Sequence, residues 1–193
     1  MASMPAELQR ALVRLCLDAR ARARFLATGE IEGIELAAAK RAELATIPPA
    51  ALERFAESLV AKRWREVSQV VPLTLRISPR LGQRYRQWLA TSPSAAHDSV
   101  LDPGCTEALQ ALPHLRDALA VDPGEAVYAP DLLEFEVLAR CSRCDRQPRV
   151  ARARFAVHEI VASLTSGVVP MDPVPTRTRF RFEAGGVRWW TDT

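Results

Sequence analysis

The spacing of apolar residues changes once along this chain of 193 residues, near residue 140. Before that point, apolar residues recur every three or four positions, which is the spacing of one buried helix face. After it, apolar residues alternate with arginines, which is the period of a half-buried strand. The sequence therefore predicts an α+β protein, with a helical bundle over residues 1–140 and a small mixed α/β unit with a β-hairpin over residues 141–193.

The helical part is predicted to contain helices over residues 5–26, 34–45, 49–71, 79–90, 105–120 and 130–140. Pro72 is expected to end the third of them. The last segment contains the letters FEVLA, which also alternate, so a strand remains an alternative there. Residues 91–104 are rich in Ser, Pro, Asp and Gly and are predicted to form a loop.

The C-terminal part is predicted to contain strands over residues 150–157, 176–182 and 187–191. A short helix is expected over residues 158–165, between the first two strands. Gly185 and Gly186 indicate a tight hairpin between the last two strands. The order strand, helix, strand, strand predicts a small mixed α/β unit after the helical part.

Charge is unevenly distributed, although the net charge is only +3. Residues 1–92 carry 15 basic and 9 acidic groups, residues 93–139 carry 1 and 9, and residues 140–193 carry 10 and 5. The basic groups are almost all arginine, whose guanidinium can bind a carboxylate or phosphate through two hydrogen bonds. Two basic regions around an acidic one indicate partners of complementary charge. A GC-rich genome, which favours Ala and Arg codons, is the alternative explanation.

The common catalytic motifs are missing from the sequence. It contains no G-x-S-x-G elbow, no G-x-x-x-x-G-K-[ST] phosphate loop and no G-x-G-x-x-G. Its histidines are His97, His114 and His158, and none is paired with another at metal-ligand spacing. Cys141 and Cys144 have the spacing of half a zinc site, but they are predicted to lie in a loop and no second half is recognisable. We therefore expect no catalytic residue, no metal and no other cofactor in this chain.

The strongest candidate for a binding surface is a set of arginines on the predicted strands. Side chains two positions apart in a strand point to the same face, so Arg152 and Arg154 share one face. Arg177, Arg179 and Arg181 share a face of another strand. This cationic face, opposite the phenylalanines, is predicted to bind an acidic peptide by strand addition at an open sheet edge. An ordinary solvated sheet face and a phosphate-binding surface remain alternatives.

Aromatic residues on the predicted helices are candidates for a protein interface. Trp64, Tyr85 and Trp88 lie on or near apolar helix faces. Aromatic side chains are enriched in interface cores, so these three are predicted to contact a partner subunit. The alternative is that all three belong to the core of the protein.

Four segments carry a resemblance to a known family: LERFAESLVAKRWREVSQVVPLTLR, ISPRLGQRYRQWLATSP, PDLLEFEVLAR and FRFEAGGVRWW. In this order they make the chain similar to accessory proteins encoded beside multinuclear non-haem iron-dependent oxidases. Those oxidases modify ribosomally made peptides, and the best known act on cysteines of methanobactin and thiaglutamate precursors. The shared pattern covers most of the chain and consists of apolar and Arg positions, without a catalytic signature.

This resemblance implies a non-catalytic subunit in ribosomal peptide (RiPP) biosynthesis. Its C-terminal part would bind the leader segment of a ribosomally made precursor peptide. The subunit would form a heterodimer with a TIM-barrel multinuclear iron oxidase, which would hold all of the iron. The resemblance assigns no role to Cys141 or Cys144.

A nucleic-acid-binding helical protein is the second hypothesis. Basic residues on two helices could reach phosphates or a groove: Lys62, Arg63, Arg65, Arg80, Arg84 and Arg86. The acidic block over residues 93–139 argues against it, because it would repel phosphate. The sequence also lacks a stretch of about 18 apolar residues and the residue order of a secretory signal, so we expect a cytoplasmic protein with no membrane contact.

Overall fold

The structure is a computed structural model that describes residues 6–91 and 101–191. Its helices are α1 (Ala6–Leu17), α2 (Ala19–Thr28), α3 (Ala38–Ala45), α4 (Pro49–Ser68), α5 (Pro72–Ile77), α6 (Leu81–Thr91), α7 (Pro103–Val121), α8 (Ala129–Asp145) and α9 (Val157–Thr165). Its strands are β1 (Arg149–Phe155), β2 (Pro175–Glu183) and β3 (Gly186–Thr191), and α9 lies between the first two along the chain. The α+β prediction, with helices first and a β-hairpin near the end, is confirmed.

The first predicted helix is two helices, because Asp18 interrupts it. The Asp18 side chain accepts hydrogen bonds from the backbone N–H groups of Arg20 and Ala21, at 2.9 and 3.0 Å. An aspartate in this position satisfies N–H groups that have no partner inside a new helix, so it favours a helix start. The prediction of one continuous helix over residues 5–26 was therefore wrong.

Pro72 both follows one helix and begins another. α4 already ends at Ser68, so the prediction that Pro72 ends it was wrong. Pro72 lies instead in the first turn of α5, a helix that the sequence analysis missed. Proline is tolerated there because the first N–H groups of a helix have no intrahelical acceptor. Pro113 likewise lies inside α7 without ending it.

The segment after residue 129 is a helix, and the strand alternative is wrong. α8 runs to Asp145, so Cys141 and Cys144 lie in its last turns rather than in a loop. The predicted loop over residues 91–104 is also too long, because α7 begins at Pro103. Residues 92–100 of that loop lie outside the described residues.

The chain divides into two compact units, and each has its own core. In the described residues, the first unit covers 6–62 and 89–91, and the second covers 63–88 and 101–191. The first core is formed by apolar side chains of the helices up to α4, such as Leu15, Phe25 and Leu52. The predicted boundary after residue 140 falls inside α8, and α5, α7, α8, α9 and most of α6 belong to the same unit as the sheet.

The sheet of the second unit is antiparallel, with the strand order β1-β2-β3. Phe180 and Phe182 point to its inner face and are fully buried. Phe135 of α8 packs edge-on against both rings, with centroid distances of 5.1 and 5.3 Å. Gly186 begins β3 with a φ of 150°, which L side chains rarely adopt, and this explains a glycine at the hairpin. The sheet is therefore anchored to α8 through one face, and its other face is turned away from the core.

Candidate functional site

The outer face of the sheet carries the arginines that the sequence analysis singled out. Arg152 and Arg154 on β1 are exposed, as are Arg177 and Arg181 on β2, and Arg179 is partly exposed. The residues between them face the core. Arg152, Arg177, Arg179 and Arg181 thus lie on one face of the sheet, and Arg154 lies at an irregularity of β1 where it has no partner on β2. We call these five predicted peptide-binding residues the arginine face.

Two pairs of arginines stand directly opposite each other across the strands. In the β1–β2 register Arg152 is paired with Arg179, and in the β2–β3 register Arg181 is paired with Arg188. Like charges in directly opposed positions destabilise a sheet. Glu183 offsets part of this repulsion, since its carboxylate lies 2.8 Å from Arg181 and 3.9 Å from Arg188.

The other arginines of the face differ in their local contacts. Arg154 donates to the backbone carbonyl of Val127 at 3.0 Å, and its guanidinium carbon lies 5.7 Å from the centre of the Phe155 ring. The side chains of Arg152 and Arg177 make no hydrogen bond or ion pair with another residue in the part of the chain that the structure describes. Their charges are therefore available to a ligand.

The two edges of the sheet are not equivalent. Along β1, the backbone N–H of Arg154 donates to the carboxylate of Asp131 at 2.7 Å, and α8 packs beside the strand. Burial raises the pKa of that carboxyl group. Along β3, by contrast, the strand pairs only with β2 within residues 6–91 and 101–191. The β3 edge is thus the one that a further strand could join.

β3 also carries two exposed tryptophans, which the sequence analysis did not single out. Trp189 is 52% exposed and Trp190 is 44% exposed. Their side chains leave the strand on opposite faces, because Trp190 is opposite Arg179 and Trp189 is opposite the buried Phe180. His158 of α9 stacks on Trp189 with a centroid distance of 4.7 Å. The edge is therefore flanked by one indole on the arginine face and one on the inner face.

A second cluster lies where α7 begins and α8 ends. The Sγ atoms of Cys105 and Cys144 are 3.6 Å apart, and Cys144 Sγ lies 3.1 Å from Asp102 Oδ2. Cys141 Sγ lies 3.7 Å from the carbonyl oxygen of Cys105. The sequence showed only the pair in α8, and nothing in the spacing indicated that Cys105 and Asp102 would lie beside it.

The pKa values of two thiols in this cluster are raised above that of an ordinary cysteine. Hydrogen bonding to Cys141 and burial together raise the pKa of the Cys105 thiol. Desolvation, with a smaller contribution from the hydrogen bond to Asp102, raises the pKa of Cys144 to about 12. Both thiols are consequently protonated near neutral pH, and neither is an activated nucleophile.

The aromatic residues predicted to contact a partner form a stack. Tyr85 lies between Trp64 and Trp88, with ring centroids 5.2 and 5.6 Å away. Tyr85 is fully buried and Trp88 is 9% exposed, as expected for residues of the core rather than of an interface. Trp64 is partly exposed. The Tyr85 hydroxyl donates to Glu107 at 2.5 Å.

Much of the acidic block is used inside the second unit. Glu107 pairs with Arg63 at 2.6 Å, and Glu134 pairs with Arg116 at 2.8 Å. Arg84 contacts carboxylates of two acidic residues in the turn after α7, and its side chain is 11% exposed. Arg63 and Arg84 belong to the basic set proposed for nucleic acid, so two of its six members are already paired with buried or half-buried carboxylates.

No family model, no curated protein and no solved structure matches this chain. None of the described helices is both long and apolar enough to cross a membrane.

Proposed function

We propose that this chain is a non-catalytic partner subunit that binds an acidic segment of a precursor peptide along β3 and presents it to an iron-dependent oxidase. The observation that carries the peptide-binding part is the set of outward-facing arginines on β2 and β3, where Arg181 stands directly opposite Arg188, next to the β3 edge, which has no further strand partner in the described residues.

The charge arrangement supports an acidic ligand. Solvated sheet faces usually mix charges of both signs, and opposed arginines cost stability unless an anion lies between them. A strand added at β3 lies about 5 Å from β3 and about 10 Å from β2, so its carboxylates can reach Arg188 and the long side chains of Arg179 and Arg181. Arg152 on β1 is one strand further away and adds only to the positive field. Each exposed ion pair contributes only about 0.2–1 kcal/mol, so several must act together.

The edge supports binding as an added strand. An open edge presents backbone N–H and C=O groups that a protein must protect or use. Strand addition supplies affinity through main-chain hydrogen bonds and selectivity through alternate side chains. In this arrangement, every second peptide side chain would lie on the arginine face near Trp190, and the others would lie near Trp189 and Val187 on the inner face. The preferred ligand therefore alternates acidic and apolar residues.

The oxidase part of the proposal rests on the resemblance to accessory proteins of iron-dependent oxidases. In that arrangement the TIM-barrel subunit holds the iron and performs the cysteine modification, and this chain supplies the peptide-binding surface. Trp64 is the most accessible of the three aromatic residues predicted to contact the oxidase.

A defined probe tests the charge requirement. Fluorescein-labelled (Glu-Val)5 is titrated with the full chain by fluorescence anisotropy, with (Lys-Val)5 as the reference peptide. We expect binding of the Glu peptide alone. Replacing Arg177, Arg179 and Arg181 together with Ala should weaken it about tenfold to a hundredfold, since three pairs near the upper end of their range are lost.

A matched variant controls for the loss of net charge. Arg10, Arg20 and Arg54 are also exposed but lie on helices of the first unit, so their triple Ala variant loses the same three charges. Its affinity for (Glu-Val)5 should equal that of the unaltered chain. Equal affinity in both triple variants would refute the arginine face as the binding surface.

Alternate N-methylation of the probe tests strand addition. Only every second N–H of an added strand points toward the sheet edge. Two versions of (Glu-Val)5 are compared, one methylated at the Glu nitrogens and the other at the Val nitrogens. We expect one of them to lose binding and the other to retain it. Retention of binding by both peptides would contradict strand addition.

Reconstitution tests the oxidase role. The proposal requires an iron oxidase encoded beside this chain, and that oxidase is assayed on its precursor peptide alone, with this chain, and with the Arg177, Arg179 and Arg181 triple variant. Modification should require the unaltered chain. The nucleic-acid hypothesis predicts instead binding to a duplex oligonucleotide with an affinity that falls steeply with salt; that result, together with an oxidase indifferent to the chain, would replace the proposal.

A further inference from the structure

Three potential ligand atoms converge between the start of α7 and the end of α8. They belong to Asp102, Cys105 and Cys144, and all lie within 4.8 Å of one another. Cys105 is buried, whereas Asp102 and Cys144 lie at the surface. Cys144 lies 39 positions after Cys105 and 42 positions after Asp102, so only the packing of α7 against α8 brings it to them.

The local structure holds the ligand atoms in place. Asp102 begins α7, and its Oδ1 accepts the backbone N–H of Cys105 at 2.8 Å. Its other oxygen, Oδ2, is directed at Cys144. A Cβ on Gly104 would lie 2.8 Å from the carbonyl oxygen of Glu66, so only glycine allows α7 to begin this close to α4. The start of α7 is thereby fixed next to the last turn of α8.

The spacing of the atoms fits one zinc ion. Zinc–sulfur bonds of about 2.3 Å in a tetrahedron place two sulfurs about 3.8 Å apart, and a carboxylate oxygen about 3.5 Å from each. The sulfurs here are 3.6 Å apart, and Asp102 Oδ2 is 3.1 Å from Cys144 Sγ. The third separation, between Asp102 and Cys105, is within 4.8 Å, so the ligands would have to close on the ion on that side. Thiolate and carboxylate are both donors that zinc accepts.

We propose that Asp102, Cys105 and Cys144 bind a zinc ion, with the fourth coordination position open to water. This inference goes beyond the proposed peptide binding, and it departs from the expectation from sequence that the chain holds no metal. The ion would join the start of α7 to the end of α8, immediately before the chain enters β1. Binding would release the two thiol protons to solvent.

Burial gives the two sides of the site different access to solvent. Cys105 is buried, so the protein would shield bound zinc on that side, whereas Asp102 and Cys144 lie at the surface and leave a path for the ion. A divalent cation stabilises the thiolate form of each cysteine ligand directly.

Zinc titration of the full chain tests the proposal. The protein is kept reduced, stripped with a chelator, and titrated with Zn²⁺ in competition with a chromogenic chelator. We expect one equivalent to bind. Since altering groups outside the ligand shell already costs 10–100-fold, Cys144→Ser should weaken binding by at least about a hundredfold. Cys144 is at the surface, so this variant should fold normally.

Further variants make the assignment specific. Asp102→Asn should weaken zinc binding by about tenfold or more. Cys16→Ala is the control, because Cys16 is a buried thiol in the first unit and its removal should leave the affinity unchanged. Bound Co²⁺ should give the sulfur-to-metal charge-transfer absorption of a thiolate site, and Cys144→Ser should reduce it. No stoichiometric binding, or the same affinity in Cys144→Ser as in the unaltered chain, would overturn the proposal.

Discussion

The capping of α5 by Glu136 can be tested by removing its carboxylate. Glu136 of α8 accepts hydrogen bonds from the backbone N–H of Leu73 at 2.8 Å, and from the N–H and hydroxyl of Thr74 at 2.7 Å each. Thr74 is fully buried, and Glu136 is 8% exposed. In Glu136→Ala, water has little access to the donors that lose their acceptor.

The expected loss follows from these three contacts. Leaving a buried donor unsatisfied costs about 1–3 kcal/mol, and three donors are affected. Removing the carboxylate also removes the free-energy cost of burying it, which makes the net loss smaller. Glu136→Ala should therefore lower the free energy of unfolding by about 3–5 kcal/mol. For a chain of this length that corresponds to a fall in Tm of about 6–20 °C. Glu136→Gln, which keeps one acceptor oxygen, should cost less, about 1–2 kcal/mol.

Urea unfolding monitored by circular dichroism measures these differences. Thr74→Val removes one of the three hydrogen bonds and should cost about 1 kcal/mol. Glu159→Ala is the control, because Glu159 is an exposed carboxylate on α9 and should change stability by less than about 0.5 kcal/mol. A loss below 1 kcal/mol in Glu136→Ala would refute the view that this carboxylate holds the start of α5.

The same residue predicts a pH dependence. Burial raises the pKa of Glu136 above its ordinary value, so the folded state binds this proton more tightly than the unfolded chain does. Its contribution to stability is therefore greatest below the ordinary carboxyl range and falls as pH rises through the raised pKa. The part of this loss of stability that is due to Glu136 should be absent from Glu136→Gln. Identical curves of stability against pH in the two proteins would contradict the assignment.

Three further results are expected. Tyr85→Phe, which removes the hydrogen bond to Glu107, should cost about 1–3 kcal/mol in urea unfolding; a neutral result would contradict the buried contact. Gly104→Ala should cost about 1–3 kcal/mol, because its Cβ would meet a backbone carbonyl oxygen of α4 at 2.8 Å, and unchanged stability would show that the helices are not packed so closely. Arg149 lowers the pKa of Asp145 to about 2, so this pair contributes stability above the ordinary Asp range that is lost as pH falls toward 2; NMR titration should show this pKa rising in Arg149→Ala.

Local sequence pattern was sufficient for most of the secondary structure. The alternation of arginines with buried residues on β1 and β2 depends only on the two-residue period of a strand, and it placed the arginine face on the outside. The glycines near residue 185 likewise marked the hairpin. The errors arose where a single residue has two possible effects. Asp18 begins a new helix where the apolar spacing predicted that the first one continues, and Pro72, which was predicted to end a helix, begins one.

Tertiary structure decided how the acidic block is used. The sequence shows nine acidic groups between residues 93 and 139 but not their partners. Glu136 caps a helix 62 residues away, and Glu107 pairs with an arginine 44 residues away. A block that looked like an acidic surface is in large part a set of internal hydrogen-bond acceptors. This distinction depends on which helices pack together, so no local pattern can show it.

The zinc ligands and the open sheet edge illustrate the same limit. The spacing of Cys141 and Cys144 was visible in the sequence, but the structure pairs Cys144 with Cys105 and Asp102 from another helix. Strand order was also hidden. Alternation identified three strands without showing that β1 lies against α8 and that β3 has no further strand partner among residues 6–91 and 101–191. The sequence by itself determined which residues share a face, because backbone geometry sets that over a few positions. Only the packing of distant segments decided which faces, edges and thiols meet, because those contacts depend on burying apolar surface across the whole unit.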